Sequence, residues 1–416
     1  MNKKEKSFVF ITLFYIAYMI FPYLSAMLPV AWVSIFVSAA LYFLYRGCYR
    51  QIYFKWFLIY IAILFLYSLF GHRFHVNGVG HSMNLFNKLL IETAWILPNL
   101  MICSIITKLD NPKIFKQLAF GSMGVLLLSL LIILPVVFTQ SGILRENVRQ
   151  TERGEPGILG LPSYTLMSCY SFFIPVACYG YKHSKRGFKW GFFGVLILFV
   201  YFVFKSEITT SLLATIFVLL FMIVYKEGGN DKNIISFAFF SLLIWFLNET
   251  GVILSFLNFL VDAYEGTVAQ VKIVELRAML LGEGESGNVQ VREELRERSF
   301  NSFALNPFIG SYDVGGHSSL MDRLGSMGLL GFIPFVMMLV TNVKMWFCKM
   351  PDKGTKSFYI AGIVVMAMFL YVKGLFSGQG MLFLFFILPV CIYGFKYYFT
   401  NVSDSKIIIH DILANN

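Results

Sequence analysis

REELRERSFNSFALNPFIGSYDVGGHSSLMDRLGSMGLLG, residues Arg292 to Gly331, is a polar island in an oily chain, and how it is read decides the fold. Its first half carries charges at helical spacing. Asn306-Pro307 then breaks the helical pattern, and Gly310, Gly315 and Gly316 permit a loop. His317 stands just before an apolar run that reads as the next membrane span. A cationic helix, a loop and one histidine therefore meet at a membrane boundary.

Working outward from this island, the 416 residues are 57% hydrophobic, 18% aromatic and only 14% charged. With a mean hydropathy of +0.70 the chain is too apolar for a soluble domain. The net charge of +11 does not indicate nucleic acid, because the basic residues fall in short clusters between apolar runs, as in cytoplasmic membrane loops. Cys103, Cys169, Cys178 and Cys391 lie within apolar runs and Cys48 and Cys348 in basic loops, so no disulfide is expected. MNKKEK followed by a run long enough to span reads as a retained first helix.

Windows able to cross roughly 30 Å of hydrocarbon occur about twelve times. They fall near Phe8 to Leu28, Val30 to Tyr45, Tyr53 to Phe70, Met83 to Ile106, Gln117 to Phe138, Ser163 to Tyr181, Phe188 to Phe204, Glu207 to Tyr225, Asn233 to Leu260, Leu324 to Phe347, Phe358 to Phe376 and Leu382 to Phe399. The expected fold is all-α: one polytopic membrane domain over 1–416 with a long, partly helical outer loop. Assigning loops alternately to two sides puts roughly 21 of the 34 Lys and Arg residues on one side, which the positive-inside bias makes cytoplasmic, with both termini. The other side receives the His72 to Ser82 loop, a first long loop over 139–162, the Lys205-Ser206 turn, a second and larger loop over 261–318, and the turn at Ser377 to Gly380. No internal repeat is visible, which argues against an inverted-repeat transporter. Val271 to Leu281 reads as a helix lying on the membrane surface.

Several residues on the outer side are candidates for chemistry. On a helix from about Val289 to Leu305, Arg292 and Arg296 share a face, while Arg298 follows Glu294 by four residues and is expected to pair with it. Glu293 and Arg296 form a second local pair, which leaves Arg292 least neutralised. This is either a solvated charged face or a cationic clamp for a phosphate-bearing ligand, since guanidinium forks bind phosphate oxygens in pairs. Arg145, Arg149 and Arg153 step by four along the first long loop, facing such a ligand, or lipid head groups, or Glu146 and Glu152. His317 is either merely exposed or a proton acceptor, with Asp313 and Asp322 near enough in sequence to orient it, although Asp322 could equally pair with Arg323. His72, His75 and His81 have no cysteine or carboxylate between them to complete a metal site. Lys88 and Glu92, four apart within a span, read as an intramembrane pair or a snorkelling lysine. No Walker loop, dinucleotide fingerprint, HExxH, GxSxG or DxD is present, so neither a metal nor a nucleotide cofactor is expected.

Arg292, Asn306-Pro307-Phe308-Ile309-Gly310, Gly316-His317-Ser318-Ser319-Leu320 and Gly328-Leu329-Leu330-Gly331 together resemble the O-antigen polymerase and ligase superfamily, whose pattern is Arg, then NP-hydrophobic-hydrophobic-G, then H-N/S-x-x-L, then G-L-x-G. Arg153 with Gly157 and Pro162 is a second, weaker likeness. The chain departs from the family where it has Lys205-Ser206 in place of Ser-Arg, Ser318 in place of Asn after His317, and Leu161-Pro162-Ser163 in place of Asn-Pro-Asn. Lys205, Arg149 or Arg153 would then supply the second cationic ligand.

The resemblance implies a glycosyltransferase on the outer face of the bacterial inner membrane. It would move a growing glycan from a polyprenyl diphosphate onto a sugar hydroxyl of the next lipid-linked repeat unit, building a surface polysaccharide. Arg292 would hold the diphosphate, His317 would accept the proton or contact the diphosphate, and Arg145, Arg149, Arg153, Arg296 and Lys205 would bind substrate. Its partners would be the lipid-linked donor and acceptor, membrane lipid, a flippase and a chain-length regulator. The competing expectations are a ligase transferring glycan to lipid A core, and, from another class, a lipid-linked glycan flippase.

Overall fold

The computed structural model describes residues 1–70, 74–76, 82–83, 85–140, 142–152, 157–206, 208–224, 252–266, 270–271, 273–274, 277, 287–311, 313–316, 318–372 and 377–399. Helix dominates them. In chain order the helices are α1 (Lys3–Ile20), α2 (Pro22–Met27), α3 (Val30–Leu44), α4 (Ile52–Leu69), α5 (Leu85–Leu109), α6 (Pro112–Thr139), α7 (Ile143–Glu152), α8 (Tyr164–His183), α9 (Arg186–Ser206), α10 (Thr209–Val224), α11 (Val252–Ala263), α12 (Gly287–Leu305), α13 (Ser319–Lys349), α14 (Lys353–Val372) and α15 (Gly378–Phe399). Three short strands, β1 (Phe74–Val76), β2 (Ser82–Met83) and β3 (Asp313–Val314), make one small sheet in the order β2-β1-β3.

Among the described residues seven helices are long and apolar enough to cross a membrane, namely α4, α5, α6, α9, α13, α14 and α15, and α3, α10 and α11 contain shorter apolar helices. The protein is therefore an all-α polytopic membrane protein, a fold whose backbone polar groups are satisfied inside the protein where no water can reach them. The expected twelve spans do not all form one long apolar helix, for physical reasons. The first is broken at Phe21-Pro22 into α1 and α2, and α3 has only 15 residues. α8 is rich in Ser, Cys and Tyr because it is enclosed by protein: every residue from Leu166 to Gly180 is buried. Most of the expected span Asn233 to Leu260, and most of the surface run Val271 to Leu281, lie outside the described residues.

α8 packs against α9, α10 and α14, while α13 packs against α4, and α5 packs against both α3 and α4. α15 is almost wholly enclosed and contains a π-helical turn at Phe383–Ile387. Its cause is Pro389, which has no N–H for the carbonyl of Phe385. The Trp346 indole donates to that carbonyl instead, at 3.0 Å.

The two ends of the bundle differ. At the basic end Lys349 pairs with Asp110 at 2.7 Å and Lys396 with Asp352 at 2.8 Å, and Asn111 donates to Glu5 at 3.2 Å. Burial would raise the Asp352 carboxyl, but the Lys396 ammonium and the donors of Thr355 outweigh it and hold it below its ordinary value. At the loop end β1 pairs in parallel with β3, His75 opposite Asp313 and Val76 opposite Val314. Ser163 donates to Gln379 at 3.3 Å, and Gln379 donates to the Met19 carbonyl at 2.9 Å. Among the described residues the ends of α1, α5, α6, α13, α14 and α15 thus meet at the basic end, and β1 meets β3 at the loop end.

Candidate functional site at the loop end

α12 is the frame of the loop end. Leu295, Arg296, Ser299 and Ser302 form its shielded stripe, whereas Glu294, Glu297, Arg298, Asn301 and Leu305 are exposed. Arg292 lies on the same helix, four residues before Arg296 and seven before Ser299. Two glycines allow the rest of the module to lie on this helix. A Cβ at Gly315 would sit 2.0 Å from the Leu295 carbonyl oxygen, and one at Gly325 would sit 2.3 Å from that of Ser299.

Beyond α12, Asn306-Pro307-Phe308-Ile309-Gly310 folds into a turn closed by the Gly310 N–H on the Asn306 carbonyl at 2.8 Å. The turn plugs a break in α13, where Gly328 has φ +55 and ψ −165. Leu329 N–H donates to the Pro307 carbonyl at 2.8 Å, Leu330 N–H to that of Phe308 at 3.0 Å, and Ser311 N–H to that of Gly325 at 2.8 Å. Tyr67 of α4 donates its hydroxyl to the Met327 carbonyl at 3.0 Å. Backbone groups released by the break are thereby satisfied inside the protein.

Ser318 caps α13 by accepting from Met321 N–H at 3.3 Å. Asp322, one turn inside, faces back: it accepts from the N–H groups of Gly316 at 3.1 Å and Ser318 at 3.0 Å, and from the Ser299 hydroxyl at 2.7 Å. Ser299 Oγ itself accepts from Gly315 N–H at 2.9 Å. Asp322 is thus engaged with backbone and Ser299, and Arg323 has an ion-pair partner on another span. Arg323, 7% exposed, pairs with Glu92, 2% exposed, at 2.8 Å. The Tyr60 hydroxyl donates to the other Glu92 oxygen, and the guanidinium lies 4.5 Å from the centre of the Phe335 ring. The side chain of Lys88, expected beside Glu92, lies outside the description.

The expected pair of Arg298 with Glu294 is also replaced: Arg298 pairs with Asp313 at 2.7 Å, joining α12 to β3. The local i,i+4 attraction is worth only a few tenths of a kcal/mol in water, too little to oppose a chain path that brings Asp313 alongside. Beside this pair Glu294, Glu297, Asn301, Ser302 and Ser311 line an open groove of about 400 Å³. Arg296 lies 5.6 Å from the centre of the Tyr371 ring, near the end of α14.

The first long loop carries α7 within 139–162. Arg145 is buried at 8% exposure, and so is Asn147, which donates to the Pro162 carbonyl at 2.7 Å and accepts from Ile158 N–H at 2.6 Å, closing the return of the loop into α8. α7 packs on α6, α8 and α9, and α9 ends with half-buried Lys205. Arg145 and Lys205 thus belong to one cluster of elements, and Arg292 and Arg296 to another built on α12, α13 and β3. Arg149 and Arg292 lie on described helices, but their side chains lie outside the description. Arg153 and His317 lie outside the described residues, as do His72 and His81; His75 is in β1.

Sequence reasoning missed three residues. Asn147 acts on partners 11 and 15 residues away and leaves no periodic trace. Ser299 looks like any polar helix residue. Arg323 fell one residue before the span expected from Leu324, so it did not register as an intramembrane charge opposite Glu92. The ends of α8, α13 and α15 carrying Ser163, Ser318 and Ser377 as caps all point to the loop end, adding the positive ends of three helix dipoles there. No model of a known protein family and no characterised protein matches the chain.

Proposed function

We propose that this protein is a metal-independent membrane glycosyltransferase that polymerises polyprenyl-diphosphate-linked repeat units into a surface polysaccharide, working at the loop end of the bundle on the outer face of a bacterial inner membrane. The observation that carries the reading is the docking of Asn306 to Gly310 into the break at Gly328. Asn306 to Gly310 and the Gly328 break, two pieces of the resembling sequence, form one built module beside α12, the helix that carries Arg296.

The chemistry follows from this set of groups. The bond between the donor sugar C1 and the diphosphate oxygen breaks, and the polyprenyl diphosphate leaves with the electron pair. A hydroxyl of the acceptor unit bonds to C1 and gives its proton to His317. Arg292, with Arg296 beside it, stabilises the negative charge gathering on the leaving diphosphate, which counts for more at an interface of lowered dielectric. Arg145, Arg149, Arg153 and Lys205 hold the diphosphate of the second lipid-linked substrate.

The test uses the purified full chain in lipid nanodiscs with a synthetic polyprenyl-diphosphate-linked repeat unit, read as a ladder of product lengths. Arg292→Ala and His317→Ala are each expected to slow chain growth about 100-fold, the scale of losing one charge-stabilising group. Full activity in both variants sinks the site assignment. Transfer to lipid A core with no ladder would make the protein a ligase, and translocation of the lipid-linked unit without either product would make it a flippase.

A further inference from the structure

We infer that Asp322 is a positioning residue for the reaction proposed above, tying Gly316 and Ser318 to the Ser299 face of α12; this rests on the polymerase reading of the same site. α13 already has its cap in Ser318, so Asp322 is not needed to start the helix. Both of its oxygens are directed back to the loop, gripping the amides of Gly316 and Ser318, the two residues that flank position 317. The same carboxylate takes the Ser299 hydroxyl, and Ser299 Oγ takes the amide of Gly315.

Ser299 is the anchor that gives this grip a direction. It stands three residues after Arg296 and seven after Arg292, one face of one helix, so the loop is tied about 10 Å along the helix axis from Arg292. Gly316, at φ +83, and Gly315, in contact with the Leu295 carbonyl, let the loop lie close enough for the tie to form. Hydrogen bonds to an ionised acceptor are shorter and stronger than neutral ones, so a carboxylate at 322 holds the loop more stiffly than an amide would. Reacting groups displaced by about 1 Å can lose about 100-fold in rate without losing affinity.

The experiment compares wild type, Asp322→Asn and Ser299→Ala in nanodiscs, with kcat and KM for the synthetic lipid-linked repeat unit, amide hydrogen exchange of peptides covering 313–320, and thermal midpoints to confirm folding. In Asp322→Asn the exchange of 315–318 is expected to speed up while the rest of α12 and α13 keeps its protection. kcat is expected to fall at least about tenfold with KM within about twofold, and Ser299→Ala to act in the same direction. Their combined effect should fall short of the product of the two, since both cut one tie. A folded Asp322→Asn protein with unchanged kcat, or with unchanged exchange at 315–318, overturns the inference and leaves the polymerase reading standing. A wild-type protein that makes no polymer overturns that reading, and the inference with it.

Discussion

Arg323, Glu92 and Tyr60 join three spans, α13, α5 and α4, through one buried charge pair and one hydroxyl. Taking two charges out of water is costly, and their attraction offsets the cost only when both partners are present. Arg323→Met strips the buried Glu92 carboxylate of its guanidinium and is expected to lower unfolding stability in detergent by about 3–5 kcal/mol. Glu92→Gln with Arg323→Met removes both charges together and is expected to restore most of the loss, which chemical unfolding of the four proteins of this cycle would measure. Additive losses would show that the pair has no coupling and that each group is held by other contacts. Glu92 was visible in the sequence as a charge inside a span, but Arg323 fell one residue before the span expected from Leu324, and their pairing was not legible. Glu92 and Arg323 are 231 residues apart, and only the packing of α5 and α13 around α4 decides that they meet.

At the scale of elements the decisive feature is the break in α13 and the turn that fills it. Gly310 and Gly328 both have positive φ, 75 and 55, and each is pressed against the other's backbone: a Cβ on Gly310 would come 2.4 Å from the Ser326 carbonyl carbon, and one on Gly328 would come 2.4 Å from that of Phe308. Alanine at either position carries about 1–3 kcal/mol of positive-φ strain and must also push the turn out of the break. Gly310→Ala and Gly328→Ala are therefore expected to lower the thermal midpoint and to abolish polymer formation. Gly124 is the control, since a Cβ there meets nothing within 4 Å in the middle of α6. Gly124→Ala is expected to leave activity unchanged and to hold or raise the midpoint, because alanine favours a helix interior by about 1 kcal/mol over glycine. Equal tolerance at all three sites would mean that the turn does not fill the break. The sequence marked these residues as a helix stop, a loop and a helix start, because proline and glycine act locally. It did not show that α13 begins at Ser319 rather than near Leu324, nor that the loop docks back into it. Those facts depend on backbone hydrogen bonds between segments about twenty residues apart, which leave side-chain identity almost free. The parallel pairing of β1 with β3 was hidden for the same reason, since two or three residues make no alternation to read.

For the whole molecule, hydropathy sufficed to read an all-α membrane protein, because lipid imposes one rule on every span. It gave about twelve crossings, of which seven are long, apolar helices among the described residues, while the 20-residue α8 is less apolar because it faces protein instead of lipid. The charge asymmetry read along the chain corresponds to a spatial one: lysines pair or stack at the basic end, as with Lys349 on Asp110 and Lys116 4.3 Å from the centre of the Tyr398 ring, and the arginine-bearing helices α7 and α12 belong to the other. If short basic loops stay on the cytoplasmic side, the α12 module must face outward, where lipid-linked glycans are joined in the proposed reaction. The chain supplies its own reporter. Cys348, beside Lys349 at the basic end, is exposed, and the other five cysteines are buried. A membrane-impermeant maleimide is expected to leave Cys348 unlabelled in intact cells and to label it in inverted vesicles. Asn301→Cys, on the exposed face of α12 at the opposite end, is expected to react in the reverse order. Labelling of Cys348 from outside would turn the bundle over, put the arginine module in the cytoplasm, and remove the physical basis for polymerisation on the outer face.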